Sequence, residues 1–201
     1  MERRLANEIK IEKEKKWAYL MFKIRFKQNN IASWADKYIE AMREKDRKEE
    51  ERIRKVLVPK IRKRGYLKKQ DLIDICNWKT AGRSGHYCED TSPQFIKETT
   101  RLMYSTKDER LRIEILTLLD GVGWPVASAI LHFVFPKKYP ILDFRALWSL
   151  SVAVPNKYTY DFWQDYCDCC RKLAKGNKVD LRTVDRALWQ YSKAYQPPKQ
   201  G

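Results

Sequence analysis

The sequence predicts an all-α protein. Helical periodicity recurs along its length, and no hydrophobic run alternates in the two-residue rhythm of a half-buried strand. Seven Gly and eight Pro in 201 residues also leave little turn material for a β architecture. Trp17, Leu20, Met21 and Ile24 put one apolar stripe on a first helix. Trp34, Tyr38 and Met42 recur every four residues on a second, with Ser33 as its cap. Over 40–54 both signs of charge are densely mixed, the pattern of a solvated helical face. Ile53, Leu57 and Ile61 carry a stripe on to Lys63-Arg64-Gly65, where glycine after basic residues marks a helix C-terminus. A short helix through Leu72, Ile73 and Ile75 comes next, and 77–86, polar with two Gly, reads as a loop. Ser92-Pro93 opens another helix, and Leu111, Ile115, Leu118 and Leu119 form the stripe of its successor. Two last helices are expected over 158–174 and 180–195. Asp180 caps the latter, with Val184, Leu188, Tyr191 and Tyr195 as its stripe. The charged N-terminal helices, 1–66, are read as part of, or packed on, a domain over 67–201.

Charge and composition narrow the class of function. Lys plus Arg number 42 against 26 Asp plus Glu, a net charge of +16, so the expected partner is a polyanion. Seven Trp, eleven Tyr and seven Phe supply a core that a disordered basic chain would lack. The longest mostly apolar run, 124–135, falls far short of the roughly 20 residues a bilayer needs, so no membrane partner is expected. The first sixteen residues are charged throughout and contain no apolar export segment. Five Cys in such a chain are expected to stay reduced, and the expected location is the cytoplasm, at the nucleoid.

The chemistry is concentrated in 111–150. A Leu- and Ile-rich helix ends at Leu119-Asp120, Gly121-Val122-Gly123 makes a two-glycine turn, and Trp124-Pro125 opens a helix whose small residues Ala127, Ser128 and Ala129 permit close packing. Pro125 suits a first helical turn because its missing N–H would be unpaired there. Such a turn offers unpaired N–H groups and the positive end of a helix dipole to a phosphate. A plain helix–turn–helix connection would have the same local form. Farther on, Ile141-Leu142-Asp143-Phe144-Arg145 places an Asp ahead of another apolar helix, which is also the ordinary signature of a cap.

Together these residues resemble the helix-hairpin-helix DNA glycosylase superfamily. Its members carry a Leu-Pro-Gly-Val-Gly hairpin, a small-residue helix, a linker and a catalytic Asp followed two residues later by His or Arg. Leu119, Gly121, Val122, Gly123, Ala127, Leu131, Asp143 and Arg145 fall at the matching places, and Asp143 lies eighteen residues beyond Pro125, as in endonuclease III-like members. The match covers about forty residues, and nothing before residue 70 carries it.

The resemblance implies that Asp143 is the catalytic residue and that double-stranded DNA binds at Gly121, Val122, Gly123, Trp124 and Arg145. It also implies that a monovalent cation sits on the carbonyls of Thr117, Leu119 and Val122. Pro125 stands where bifunctional relatives carry a Lys nucleophile, so hydrolysis without strand cleavage is implied. Cys167, Cys169 and Cys170, with distant Cys76 and Cys88, fit neither the family's iron–sulfur spacing nor a zinc site, so no such cofactor is expected.

Base flipping requires a pocket or wedge, for which Trp78, Lys79, Arg83, His86, Tyr139 and Trp148 are the candidates. Core packing is the competing role for the aromatic ones, and His132, mid-helix, is expected in the core. The chain is expected to act as a monomer. A damaged base, or a modified base of phage DNA attacked in defence, would both suit such an enzyme. A non-catalytic helix-hairpin-helix DNA-binding module and a structural interaction protein remain as alternatives.

Overall fold

A computed structural model describes residues 22–198 of the chain. The described residues are helical and contain no strand, which makes the fold all-α. They fall into two compact units. Residues up to Tyr38 join those from Asp143 onward in a terminal unit, and Ile39–Leu142 form a central unit. The chain leaves the terminal unit within its first described α-helix and returns to it at Asp143.

In the terminal unit, helix α1 is Ile31–Glu40. It starts three residues before the position that Ser33 would cap, entered by a 3-10 turn over Gln28–Asn30, and it ends before Met42. Of the stripe expected on an earlier helix, Trp17, Leu20 and Met21 lie outside the described residues, while Ile24 belongs to a non-helical segment. There the N–H groups of Lys23 and Arg25 donate to the carbonyls of Leu150 and Ser149 at 2.8 and 2.9 Å.

The helix here numbered α8 is Phe144–Ser149, α9 is Tyr160–Gly176 and α10 is Leu181–Tyr195. Asp180 caps α10 as its position predicts, accepting the Thr183 N–H at 2.7 Å. Thr159 does the same for α9. Trp163, Tyr166 and Cys167 of α9 are buried, and the Ser149 hydroxyl donates to the Leu188 carbonyl at 2.6 Å.

The central unit holds α2 (Glu44–Arg52), a wider π turn over Ile53–Leu57, α3 (Val58–Arg64), α4 (Lys69–Thr80), α5 (Pro93–Ser105), α6 (Glu109–Glu114) and α7 (Trp124–Val134). Helix α2 is the solvated face that its mixed charges predict. Lys48 pairs with Glu44 at 2.7 Å and Arg52 with Glu49 at 2.7 Å, along one side. Gly65 closes α3 in the left-handed conformation, φ +75°.

Two expectations fail in this unit. Asn77, Trp78, Lys79 and Thr80 belong to α4 rather than to a loop: the Trp78 ring packs edge-on against Phe133 with centroids 4.8 Å apart, and the Thr80 hydroxyl donates back to the Cys76 carbonyl. The helix stops one residue later, at Ala81 with φ +53°. The second failure is the stripe on α6. Leu111 and Leu118 are exposed, while Ile113, Leu116 and Leu119 are buried. Beyond Glu114 the helix tightens into a 3-10 segment, Ile115–Leu118, so the buried face repeats every three residues instead of every 3.6.

A buried arginine braces this region. Arg112 donates to the Tyr139 hydroxyl at 2.8 Å, to the Met103 carbonyl at 3.2 Å and to the Thr106 carbonyl, and Tyr139 in turn donates to Glu109 at 3.0 Å.

Candidate functional site

The glycine hairpin of the central unit is fixed from both sides. Thr91 donates to the Asp120 carboxylate at 2.7 Å and accepts the Asp120 N–H at 3.1 Å. Val122 closes the turn on the Leu119 carbonyl at 3.0 Å, with its side chain buried. Gly121 is a glycine for an internal reason. Its φ is +75°, and a Cβ there would stand 2.8 Å from the Ser84 carbonyl oxygen and 3.0 Å from the Tyr87 Cβ.

Gly123 is different. Its φ is −82°, it is exposed at the N-cap of α7, and a Cβ would meet nothing nearer than Pro125 Cδ at 3.8 Å. Nothing among the described residues requires a glycine there. Among the described residues, the backbone N–H groups of Gly121 and Gly123 have no hydrogen-bond acceptor. Helix α7 behind them is buried from Val126 to Val134, so the hairpin sits on a rigid support.

Beside the hairpin lies a short segment, Gly85–Glu89, held down by Ser84, whose N–H donates to the Thr80 hydroxyl at 3.1 Å. Tyr87 stands half out of this segment, 55% exposed, with the exposed His86 ring stacked on it at 3.9 Å. Leu118, the last residue of the 3-10 segment that leads into the hairpin, is 61% exposed. Sequence reasoning named Arg83 and His86, which are exposed here, but missed Tyr87 and Leu118. A Tyr next to a Gly-His pair was a legible signal. Leu118 was not, because a helical reading assigns it to the core.

Asp143 opens α8 in the terminal unit. It is half-exposed and extended, and its carboxylate accepts the Arg145 N–H at 2.9 Å, so it is the helix cap that its position predicts. Two phenols feel its charge. The Tyr158 hydroxyl is pushed up by burial and by Asp143, and the wholly buried Tyr166 is pushed up by burial first, with Asp143 adding to it. Tyr158 is a neighbour that the sequence did not reveal. Arg145 stacks over Phe144 and Trp189 at 5.1 and 5.2 Å, and among the described residues it has no carboxylate partner. Just before Asp143, the Leu142 N–H donates to the buried Ser128 hydroxyl of α7 at 2.8 Å.

Comparison with known proteins finds no matching family model, no matching curated protein and no matching solved structure. The site therefore rests on its own geometry. Of the proposed pocket residues, Tyr139 is wholly buried, its hydroxyl spent on Arg112 and Glu109, so it lines no accessible pocket. Trp148 is half-buried under Arg25, at 4.5 Å, and beside Tyr191, a packing role. Trp78 is half-buried on α4, with Lys79 next to it, and Trp124 is half-buried at the head of α7.

Thr117, Leu119 and Val122 offer carbonyl oxygens of the right kind for a hard monovalent cation, although that of Leu119 already takes one N–H. His132 is in the core, donating from Nδ1 to the Tyr139 carbonyl at 2.8 Å. The five cysteines are free thiols, and Cys76 and Cys88 lie with sulfurs 2.9 Å apart. Among the described residues no three Cys, His, Asp or Glu side chains group as a metal site, and no helix is long and apolar enough to cross a membrane.

Proposed function

We propose that the chain is a monofunctional DNA N-glycosylase of the helix-hairpin-helix type, acting on double-stranded DNA. The observation that carries this reading is the hairpin: two N–H groups without acceptors, and an exposed Gly123 that the protein's own packing does not require. A phosphate oxygen accepting from Gly121 and Gly123, at the head of a buried helix, accounts for both. A monovalent cation on the neighbouring carbonyls would add positive charge at that phosphate. His86, Tyr87 and Leu118 beside the hairpin supply the exposed rings and aliphatic side chain that could fill the gap left by an extruded base.

The chemistry then falls to Asp143. Breaking the N-glycosidic bond leaves positive charge on C1′ and the ring oxygen of the sugar, which a fixed carboxylate stabilises. Water attacks C1′, its proton passing to the carboxylate, and the base departs with the bonding electrons and takes up a proton. A hydroxyl remains on C1′, the abasic site. Pro125 has no amine to form a Schiff base, so the reaction ends there without strand cleavage. In this reading the protein works as a cytoplasmic, nucleoid-bound monomer, and its substrate is a damaged base or a modified base of invading DNA.

One observation favours the non-catalytic reading: the Asp143 carboxylate is already occupied as a cap. Asn caps as well as Asp does, so Asp143→Asn separates the two. Duplexes carrying alkylated, deaminated, oxidised and phage-type modified bases are incubated with each protein and then treated with alkali. The glycosylase reading expects alkali-labile sites with the native chain, none with Asp143→Asn, and equal DNA binding by both. Equal excision by both proteins would remove Asp143 from the mechanism.

A further inference from the structure

The terminal unit carries an aromatic and basic patch that the hairpin and Asp143 do not use. Tyr191 stands at its centre, with ring centroids 4.7 Å from Phe26, 5.2 Å from Trp34, 4.9 Å from Tyr195 and 6.0 Å from Trp148. Two cations lean on its ends, Arg25 over Trp148 at 4.5 Å and Lys37 over Trp34 at 4.2 Å. Tyr195 is 59% exposed. Along the segment leading into α1, exposure alternates: Lys23, Arg25 and Lys27 point outward, with Ile24 and Phe26 between them more buried. Among the described residues none of these four cations has a carboxylate partner, whereas on α2 Lys48 and Arg52 are paired with glutamates. Solubility alone gives no reason to gather unneutralised cations around rings, one of which stands mostly in water.

We propose that this patch binds a single strand of nucleic acid, with its phosphates on Lys23, Arg25, Lys27 and Lys37 and a base stacked on Tyr195. Cation–π contact places Arg25 and Lys37, and a hydrogen bond from Arg25 Nε to the Trp148 carbonyl at 2.6 Å adds to it; neither neutralises their charge, which is left for phosphate. An exposed ring offers a stacking face that the bases of an intact duplex, already stacked on each other, cannot use. A single strand can, whatever its sequence. An acidic protein partner would satisfy the cations and leave the ring without a role.

The test uses the full chain, fluorescein-labelled dT20 and a labelled twenty-base-pair duplex, with affinity read by fluorescence anisotropy across a salt series. Tyr195→Ala is expected to weaken dT20 binding about tenfold, while Tyr195→Phe stays within about twofold of the native chain. Lys27→Glu, on an exposed loop position where folding is not at stake, is expected to flatten the dependence of log K on log salt by about 0.7 or more. Lys48→Glu on α2 is the control for charge alone. The proposal is overturned if Tyr195→Ala and Tyr195→Phe bind dT20 alike, or if Lys27→Glu loses no more than Lys48→Glu. Duplex bound as tightly as dT20, with the same loss on Tyr195→Ala, would also overturn it. No excision step enters the assay, so this inference and the glycosylase reading stand or fall separately.

Discussion

At the scale of single residues, the two hairpin glycines answer to different demands, and substitution separates them. Gly121→Ala puts a Cβ against the Ser84 carbonyl at a positive φ, so it is expected to cost about 2 kcal/mol and lower the melting temperature by about 4–8 °C. Gly123→Asp adds a good cap where there is room. It should leave the melting temperature no lower, yet weaken duplex binding at least about tenfold by placing a negative charge where the phosphate is proposed to sit. Unchanged duplex binding would detach Gly123 from any phosphate. Burial pushes the Cys169 thiol up to about 11. A raised pKa means that little thiolate exists at pH 8, so its alkylation rate, followed by mass spectrometry of the modified peptide, should rise about tenfold per pH unit until it levels off near that value.

Among the elements, those with caps written in the side chains were legible. Asp180 before α10 and Ser92 before α5 accept the backbone N–H that a cap should, and Gly65 ends α3. What stayed hidden was set by tertiary contact. Trp78 remains helical because Phe133 is there to pack on, and the 3-10 tightening after Glu114 exposes Leu118 while burying Leu116. Arg112 was hidden too: in sequence it is one more basic residue, but in the fold it joins α5, α6 and the segment after α7. Arg112→Leu would strand the Met103 and Thr106 carbonyls and take from the Tyr139 hydroxyl its donor. A loss of about 3–5 kcal/mol is expected in urea unfolding, against under about 1 kcal/mol for Lys48→Ala, whose ion pair is solvent-exposed.

For the whole molecule, the charge of +16 was plain from composition, but its availability was not. On α2 Lys48 and Arg52 face glutamates of their own helix, whereas Arg25, Lys37 and Arg145 meet rings. Duplex affinity should therefore fall steeply with salt, by about a thousandfold or more between 50 and 200 mM if six or more phosphates are engaged. A flat salt series would mean that the charge serves something other than a polyanion. As for the candidate site, Asp143 could be singled out in the sequence, since motif spacing is a one-dimensional property. Tyr87 and Tyr158 could not, because what makes them neighbours of the hairpin and of Asp143 is folding.

The paired sulfurs of Cys76 and Cys88 carry a consequence for inheritance. Each thiol is the other's polar neighbour in the buried interior, and their hydrogen bond pulls the two pKa values apart, Cys76 upward and Cys88 downward. Replacing Cys88 takes the donor from Cys76, replacing Cys76 leaves Cys88 only the Ser84 carbonyl at 3.6 Å, and replacing both with small aliphatic residues removes the need for either. Descendants of this chain should therefore keep both or lose both, and lineages that retain only one should be scarce.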